Sequence, residues 1–372
     1  MEEENMKKIL ALVLALVMIF ALCACGKKTE TAAATDDDTM TSADGKYEIA
    51  MVTDVGQLKD GSFNEGTWNG VKAFAKANDL SYKYYMPENG SEATDEDRFN
   101  AFCLAADNGA NLIVCPGYLQ ATALSQAAEK YPDVHFLFID GWDLGYSNVA
   151  AVAYKEHECG YFAGYACVKD GMTKLGFVGG GGGTNPACCR YGYGFVQGAN
   201  AAAAELGITV EMNYSWLYGS SYSASPELQT LVKGWYENGT ECIFSCGGSM
   251  SDSCCAAASA NDGWVVGVDV DQAGDSETII TSAMKELAKS VEQIATILYE
   301  GKWDTVGGTC QNLGAAEGDT GLPTAESSWR FTKFTTAEYQ EVYDSVVSGS
   351  LVIDDDYANL GDMSNLVLTI VE

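Results

Sequence analysis

The sequence predicts an α/β protein built of two doubly wound lobes joined by a hinge. From Lys46 onward, short apolar runs alternate with stretches in which apolar residues recur at helical spacing, which is the rhythm of a parallel sheet covered by helices. The rhythm starts again after Lys155, so that a second series of similar build follows the first. With 372 residues, of which 47% are hydrophobic, the chain is long enough to bury two separate cores.

The first series begins with the predicted strand YEIAMVTD, which ends in Asp54. The segment NEGTWNGVKAFAKAND follows, and its apolar residues Trp68, Val71 and Phe74 lie at helical spacing. Later apolar runs predict further strands at LSYKYYM, NLIVCPG, HFLFIDG and VAAVAYK. We therefore place residues 46–155 in the first lobe.

The second series repeats this pattern over residues 156–304, which we place in the second lobe. Its strands are predicted at KLGFVGG, ITVEMNYSW, ECIFSCGG and GWVVGVDVD, with helical stretches between them. The segment TIITSAMKELAKSVEQIATILYEGKW adds one more strand and a long amphipathic helix. We assign the remaining segment, 305–372, to the first lobe as a C-terminal return.

The N-terminal residues have the pattern of an export signal. In MKKILALVLALVMIFALCAC, which starts at Met6, two lysines precede an unbroken apolar run that ends in small residues. We predict that residues 1–24 are a signal peptide and that Cys25 is the lipidated N-terminus of the mature protein. Residues 25–45 are polar and small, which is typical of a flexible tether. The expected location is the extracytoplasmic face of the cell membrane, through this lipid anchor.

The composition excludes several classes of partner. The chain has 21 Lys and Arg against 52 Asp and Glu, a net charge of −31, so nucleic acid is not an expected partner. Its 13 cysteines lack zinc-site spacing, and there are only 2 histidines. We therefore expect no metal and no cofactor. Most of the cysteines should be small buried residues, and one or two disulfides remain open.

The sequence contains no convincing catalytic pattern. The run VGGGGG lacks the Lys-Ser/Thr pair of a phosphate-binding loop, and no G-x-S-x-G elbow is present. His135 begins a predicted strand and His157 a predicted helix, and neither has an evident catalytic partner. We therefore predict that the protein is not an enzyme.

Aspartates and glycines recur just after the predicted strands. They are Asp54, Gly117, Asp140, Gly247, Gly248 and Asp269. In doubly wound sheets, ligands bind outside the carboxyl ends of the strands. Carboxylates there would accept hydrogen bonds from a neutral ligand rich in hydroxyls and ring nitrogens, and Phe63 offers a flat face for stacking. The pattern predicts a ligand pocket at the strand ends.

Several of these segments resemble a known family. They are DVGQLKDGSFNEGTWNG, KYPDVHFLFIDG, CGYFAGYACV, KLGFVGG, RYGYGFVQGA, IFSCGG, VVGVDVDQ and TSAMK. In this order they resemble the basic membrane protein family, surface lipoproteins similar to the purine-nucleoside receptors of ABC importers. The resemblance implies a type I periplasmic-binding-protein fold that closes on a purine nucleoside and delivers it to ABC transporter permease subunits. We expect it to act as a monomer.

The resemblance also implies roles for single residues. Phe63 would stack on one face of the base and Tyr191 on the other, where family members more often carry Phe. Asn64 and Asp140 would hydrogen-bond the purine edge. The ribose hydroxyls would be held by Asp54, Gly247, Asp269 and Lys285. The hydroxyl of Tyr191 requires a hydrogen-bond partner if it is buried.

Two other functions remain open from the sequence. The same fold can bind a sugar or another small polar metabolite, and a pocket with only one aromatic wall would favour that ligand. A secreted nucleoside hydrolase is an alternative from a different class, and Asp269 and Asp271 in GVDVDQ would then help to hold a divalent ion.

Overall fold

The structure is a computed structural model that describes residues 37–55, 57–361 and 363–372. The predicted signal peptide, the lipidation site at Cys25 and the first part of the tether lie outside these residues. Within the described ranges, no helix is long and apolar enough to cross a lipid bilayer.

The described residues form strands and helices in alternation. The strands are β1 (Ile49–Val52), β2 (Tyr82–Tyr85), β3 (Leu112–Pro116), β4 (His135–Ile139), β5 (Val149–Tyr154), β6 (Lys174–Gly179), β7 (Val210–Ser215), β8 (Cys242–Cys246), β9 (Trp264–Asp269), β10 (Ile279–Lys285), β11 (Thr309–Leu313), β12 (Thr320–Gly321) and β13 (Leu366–Val371). The helices are α1 (Phe63–Ala77), α2 (Asp95–Asp107), α3 (Ala121–Lys130), α4 (Glu156–Lys169), α5 (Pro186–Leu206), α6 (Pro226–Glu237), α7 (Met250–Ser259), α8 (Leu287–Tyr299) and α9 (Thr336–Val347).

The strands form two separate sheets, one in each lobe. The first lobe contains a six-stranded parallel sheet in the order β11-β5-β4-β3-β1-β2. The second lobe contains a seven-stranded sheet in the order β12-β10-β9-β8-β6-β7-β13, in which only the short β12 runs antiparallel. Both strand orders are those of a doubly wound fold, so the predicted fold class is confirmed.

The predicted lobe boundaries are wrong in the C-terminal part of the chain. Helix α8, predicted in the second lobe, buries Leu287, Val291 and Ile294 in the first-lobe core that also contains Trp68 of α1. Of the segment 305–372, only β11 joins the first sheet, because β12 pairs with β10 and β13 pairs with β7. The apolar periodicity predicts each element but does not indicate which of two similar sheets it joins.

The chain passes between the lobes three times, after β5, after β10 and after β11. Hydrogen bonds join these crossings to one another. The hydroxyl of Tyr154 donates to Ser290 Oγ at 2.7 Å, which connects the first crossing to the second. The carboxylate of Glu158 accepts from the Ala315 N–H at 2.6 Å and from Thr320 Oγ1 at 3.0 Å, which connects the first to the third. We call these three bonded crossings the hinge region.

Helices α4 and α5 pack unusually close together through glycines. Gly160 and Gly164 on α4 face the backbone of α5, and Gly194 and Gly198 on α5 face the backbone of α4. A Cβ atom at any of these positions would overlap backbone atoms of the facing helix. The close packing brings the first turn of α4 next to the first turns of α5, at the edge of the cleft between the lobes.

The eleven cysteines among the described residues are all free, and eight of them are buried. This agrees with their interpretation as small core residues. The sulfur atoms of Cys167 and Cys242 lie 3.9 Å apart in the core of the second lobe.

Candidate ligand-binding site

A chamber lies between the two lobes and contains about 500 Å³ of space among its lining atoms. All of the predicted ligand-binding residues line it: Asp54, Phe63, Asn64, Asp140, Tyr191, Gly247, Asp269 and Lys285. We call this space the inner chamber.

The fold explains why residues so distant in sequence meet here. Asp140 directly follows β4 of the first lobe, while Asp269 ends β9 and Gly247 directly follows β8 of the second lobe. Both aspartates have a left-handed backbone, with φ of 56° at Asp140 and 68° at Asp269. Non-glycine residues seldom adopt this conformation, and such residues cluster at binding sites.

Asp60 organises the start of α1, although it was absent from the predicted site. Its carboxylate accepts hydrogen bonds from the backbone N–H groups of Ser62 at 2.9 Å, Asn64 at 3.0 Å and Glu65 at 3.0 Å. Burial raises the pKa of Asp60 to about 6, against the effect of these three donors. An aspartate just before a helical pattern is a capping signal that could have identified it.

Asn64 is held in one orientation by two carboxylates. Its Nδ2 donates to Asp54 Oδ1 at 3.0 Å and to Asp60 Oδ2 at 3.4 Å. Because ionised carboxylates only accept, the amide oxygen must point the other way. That oxygen is buried and has no hydrogen-bond partner among the described residues. Burial also raises the pKa of Asp54.

Lys285 is the central cation of the inner chamber and is only 3% exposed. Its Nζ lies 2.6 Å from Asp140 Oδ2, 3.6 Å from Glu156 Oε1 and 3.6 Å from Asp269 Oδ1. Burial opposes its charge, but the three carboxylates outweigh burial and raise the pKa of Lys285 well above its ordinary value. Burial raises the pKa of Asp140 to about 6 even though Lys285 lowers it. The second oxygen of Asp140, Oδ1, is buried and unpartnered among the described residues.

Glu156 and Arg190 form an ion pair next to Lys285, and the sequence analysis predicted neither residue. Glu156 is fully buried, and its Oε2 accepts from Arg190 Nε at 2.6 Å. Burial alone would raise the pKa of Glu156, but Arg190 and Lys285 outweigh it and lower the pKa. Glu156 therefore carries its charge in the interior. In the sequence it looks like an ordinary acidic residue at a helix start, so no signal distinguished it.

Aromatic side chains from both lobes line the inner chamber. Phe63 comes from α1 in the first lobe, and Tyr191 from α5 in the second. Lys285 Nζ lies 4.7 Å from the ring centre of Phe63 and 5.7 Å from that of Tyr191, within the range of cation–π attraction. The hydroxyl of Tyr191 donates to Asp269 Oδ1 at 3.3 Å, which supplies the partner that a buried hydroxyl requires.

Further contacts join the lobes at the rim of the inner chamber. Ser62 Oγ of the first lobe donates to Asp269 Oδ2 of the second at 2.6 Å. Gln272 Nε2 donates to the carbonyl oxygen of Gly61 at 3.0 Å. These bonds hold the two lobes in a closed arrangement around the inner chamber.

The charged side chains that line the inner chamber are mostly negative. Four carboxylates, those of Asp54, Asp60, Asp140 and Asp269, line it together with the single ammonium group of Lys285. An anionic group such as a phosphate would be repelled there, whereas O–H and N–H groups would find acceptors. The arrangement suits a neutral ligand rich in hydrogen-bond donors.

Comparison with known proteins then decides the family. The family model described as "ABC transporter substrate-binding protein PnrA-like" matches residues 47–347. The chain belongs to this family. It is therefore a substrate-binding protein of ABC transporters and not an enzyme, as predicted.

Two named relatives support the assignment of this protein to the family. It is 27% identical over 347 residues to the "ABC transporter nucleoside-binding protein BmpA" of Lactococcus lactis, which covers 87% of this chain and 93% of the relative. It is 29% identical over 301 residues to "Basic membrane protein B" of Borreliella burgdorferi, covering 76% of this chain and 83% of the relative. The predicted resemblance to the basic membrane protein family is confirmed.

Solved structures confirm the fold. The crystal structure of an ABC transporter solute-binding protein from Aeropyrum pernix matches with a TM-score of 0.69 at 19% identity, over 84% of this chain and 95% of that one. A second solute-binding protein, from Conexibacter woesei, matches with a TM-score of 0.65 at 20% identity, over 83% and 99% of the two chains. The substrate-binding protein thus has the type I periplasmic-binding fold with two lobes.

The nucleoside hydrolase alternative is wrong, because the chain belongs to a family of substrate-binding proteins. The structure also separates the two aspartates that it required. Asp271 does not line the inner chamber, and its Oδ2 accepts from Ser328 Oγ at 2.5 Å. Within the described residues, no group of three or more His, Cys, Asp or Glu is arranged to hold a metal ion.

Proposed function

We propose that this substrate-binding protein binds a purine nucleoside in the inner chamber and presents it to the permease of an ABC importer. The observation that carries the proposal is the combination of aromatic rings from both lobes with buried, unpartnered acceptors. Phe63 and Tyr191 supply the rings, and Asn64 Oδ1 and Asp140 Oδ1 are the acceptors. A planar base with N–H groups on its edge matches both features.

Stacking and hydrogen bonding to the base supply different parts of the recognition. Phe63 would contact one face of the base and Tyr191 the other, because they come from opposite lobes. An acceptor buried without a partner costs about 1–3 kcal/mol, so a ligand that donates to Asn64 and Asp140 removes that cost. Closing the lobes on the base would thus be coupled to ligand binding.

The ribose would occupy the acidic side of the inner chamber. Asp54 and Asp269 present carboxylate oxygens that can accept hydrogen bonds from the ribose hydroxyls. The ammonium group of Lys285 can donate to the ribose oxygens. Gly247, with its backbone at φ 150°, lines the same space without a side chain. The excess of carboxylates supports a nucleoside rather than a nucleotide.

The Lactococcus relative is named as a nucleoside-binding protein, which supports a nucleoside as the ligand class. A sugar is the competing ligand with this fold, and the Geobacillus stearothermophilus glucose-galactose binding protein has a similar fold at a TM-score of 0.52 and 14% identity. A pocket with only one aromatic wall would favour a sugar. The two aromatic walls here favour the nucleoside.

We also propose that the protein works at the outer face of the cell membrane as a lipid-anchored monomer. The apolar N-terminal run, the cysteine at position 25 and the polar segment after it support this proposal. Metabolic labelling with a radioactive or alkyne-bearing fatty acid would test it. A Cys25→Ser variant should lose the label and be released from the membrane fraction, and retention of label in that variant would overturn the assignment of Cys25.

Isothermal titration tests the ligand class. The body of the protein, residues 26–372, should bind adenosine, guanosine or inosine with one site per chain and should bind free ribose and glucose much more weakly. Sugar binding without nucleoside binding would support the competing ligand. No binding of any purine nucleoside at millimolar concentration would overturn the proposal.

A further inference from the structure

A second chamber adjoins the inner chamber and shares four of its lining residues. It contains about 840 Å³ of space, part of it open to solvent, and we call it the outer chamber. Tyr118, Asp140, Asn185 and Ala187 line both chambers and form the junction between them. In the proposed function the nucleoside occupies the inner chamber, so a ligand with a substituent at the junction would extend into the outer one.

His157 gives the outer chamber a polar anchor that has no present partner. It is only 7% exposed, lines the outer chamber, and its Nδ1 is buried without a hydrogen-bond partner among the described residues. Burial lowers the pKa of His157, so its imidazole is neutral near pH 7. A neutral imidazole nitrogen can accept from a hydroxyl or, in the other tautomer, donate to it. Because Nδ1 is closed to solvent in the structure, a hydroxyl group in the outer chamber satisfies this atom once the imidazole turns toward it.

The rest of the outer chamber suits a neutral substituent with an apolar stem. Trp142 is 47% exposed and lines the outer chamber but not the inner one, and its ring packs edge-on against Phe138 at 5.4 Å. Arg190 also lines the outer chamber, but its charge is already paired with Glu156. Asp140 and Asp355 line it as well, so a carboxylate or phosphate on the substituent would be unfavourable.

Asp140 fixes the point where a substituent would leave the inner chamber. Its Oδ2 accepts from Lys285 Nζ at 2.6 Å, while Oδ1 is buried and has no partner among the described residues, so Oδ1 is free to accept from a ligand. In the proposed function this oxygen accepts from an N–H on the edge of the base, and in adenosine we assign that N–H to the exocyclic amine. A singly substituted amine keeps one N–H for this bond and places its substituent at the junction, beside Tyr118.

We propose that the outer chamber receives a substituent carried on the exocyclic amine of the purine, so that singly N6-substituted adenosines are ligands of this protein. The proposal rests on the proposed function, because it uses the same base orientation at Asp140. It adds a second subsite, with Trp142 against the stem of the substituent and His157 at its hydroxyl.

Titration with a matched series of adenosines tests the subsite. The series contains adenosine, N6-propyladenosine, N6-hydroxyalkyladenosines of increasing chain length beginning with hydroxyethyl, and N6,N6-dimethyladenosine. The singly substituted compounds should bind at least as well as adenosine. The best hydroxyalkyl compound should bind about five-fold more tightly than the alkyl compound of the same length, the size of one added hydrogen bond. The dimethyl compound should bind worst, because it has no N–H for Asp140.

Two variants assign the effect to the outer chamber. His157→Phe should remove the advantage of the hydroxyl and leave adenosine binding unchanged. Trp142→Ala changes an exposed side chain and should weaken the substituted adenosines several-fold, again with no change for adenosine. If adenosine binds but every singly substituted compound binds more than ten-fold more weakly, the subsite is overturned and the proposed function stands. If guanosine or inosine binds but no adenosine does, the subsite is likewise overturned and the proposed function stands. If no purine nucleoside binds at all, both are overturned.

Discussion

The carbonyl oxygen of Tyr191 occupies the space that a side chain on Gly160 would need. Gly160 lies on α4 and Tyr191 on α5, and the contact is one of four in which a glycine of one helix meets the backbone of the other. The ring of Tyr191 lines the inner chamber. Packing inside the second lobe therefore determines the position of one wall of the inner chamber.

Gly160→Ala should destabilise the second lobe and weaken ligand binding together. The added methyl group forces α5 away from α4, and overpacking of this kind costs about 1–3 kcal/mol. The displacement moves Tyr191 relative to Phe63, so the affinity should fall as well. Urea denaturation gives the free energy of unfolding, and titration with the best purine nucleoside gives the affinity.

Gly234→Ala is the matched control for this substitution. Gly234 also lies within a helix, α6, but a Cβ there would meet no atom within 4 Å. Alanine is a better helix former than glycine by up to about 1 kcal/mol, so this variant should be as stable as the parent or more so. Equal losses of stability in the two variants would contradict the packing argument.

Phe63→Ala should weaken purine-nucleoside binding by about 1–3 kcal/mol, the usual value of one aromatic stacking contact with a base. The free energy of unfolding should change less than for a core phenylalanine, because Phe63 lies only partly buried at the wall of the inner chamber. Phe99→Ala, which truncates a partly buried first-lobe phenylalanine outside the inner chamber, should leave the affinity unchanged. An unchanged affinity in Phe63→Ala would remove Phe63 from the base-stacking role.

Nucleoside affinity should fall as the pH is lowered through about 6. Burial raises the pKa of Asp140 to about 6, so below that pH its carboxyl is increasingly protonated and loses strength as an acceptor. A ligand N–H that bonds to Asp140 favours the ionised form, so binding should release a proton near the midpoint. Titration between pH 5 and 7.5 in buffers of different ionisation enthalpy measures both effects.

The variant Asp140→Asn distinguishes the titration of Asp140 from that of Asp60, which also lines the inner chamber and whose pKa burial also raises to about 6. This variant should bind more weakly at pH 7 and lose the pH dependence of the affinity. A pH profile that persists in Asp140→Asn would assign the titration to another group.

The sequence predicts the residues that line the inner chamber better than the buried residues that hold them in place. Asp54, Asp140 and Asp269 follow or end strands, and the carboxyl ends of parallel strands meet at one edge of a sheet, so their meeting can be inferred from periodicity. Glu156 gives no such signal, because its role depends on the close approach of α4 and α5. That approach could be inferred only from the paired glycines on both helices.

The lobe assignment of the C-terminal segment failed for a related reason. Strand β13 has the apolar sequence LVLTIV, which would suit an edge position on either parallel sheet. Its place beside β7 is fixed by tertiary contacts, such as the bond from the Asn365 N–H to Asn200 Oδ1 at 2.9 Å. Local pattern gives the type of element, whereas long-range pairing gives its location.

Lys285→Met should destabilise the protein more than any surface lysine variant does. It leaves the buried carboxylates of Asp140 and Asp269 without their cation, and breaking a buried ion pair by removing one partner costs about 3–5 kcal/mol. Lys233→Met is the control, since Lys233 is 53% exposed in its side chain and pairs with Glu237 on the surface. Its effect should be below about 1 kcal/mol.

A double variant identifies which carboxylate carries the cost. If Asp140, at 2.6 Å, is the principal partner of Lys285, adding Asp140→Asn to Lys285→Met should recover part of the lost stability, because the second change removes an uncompensated buried charge. Urea denaturation of the parent, both single variants and the double variant gives the coupling energy. Additive losses would show that Asp140 and Lys285 contribute to stability independently, and would contradict the ion pair as the organising contact of the inner chamber.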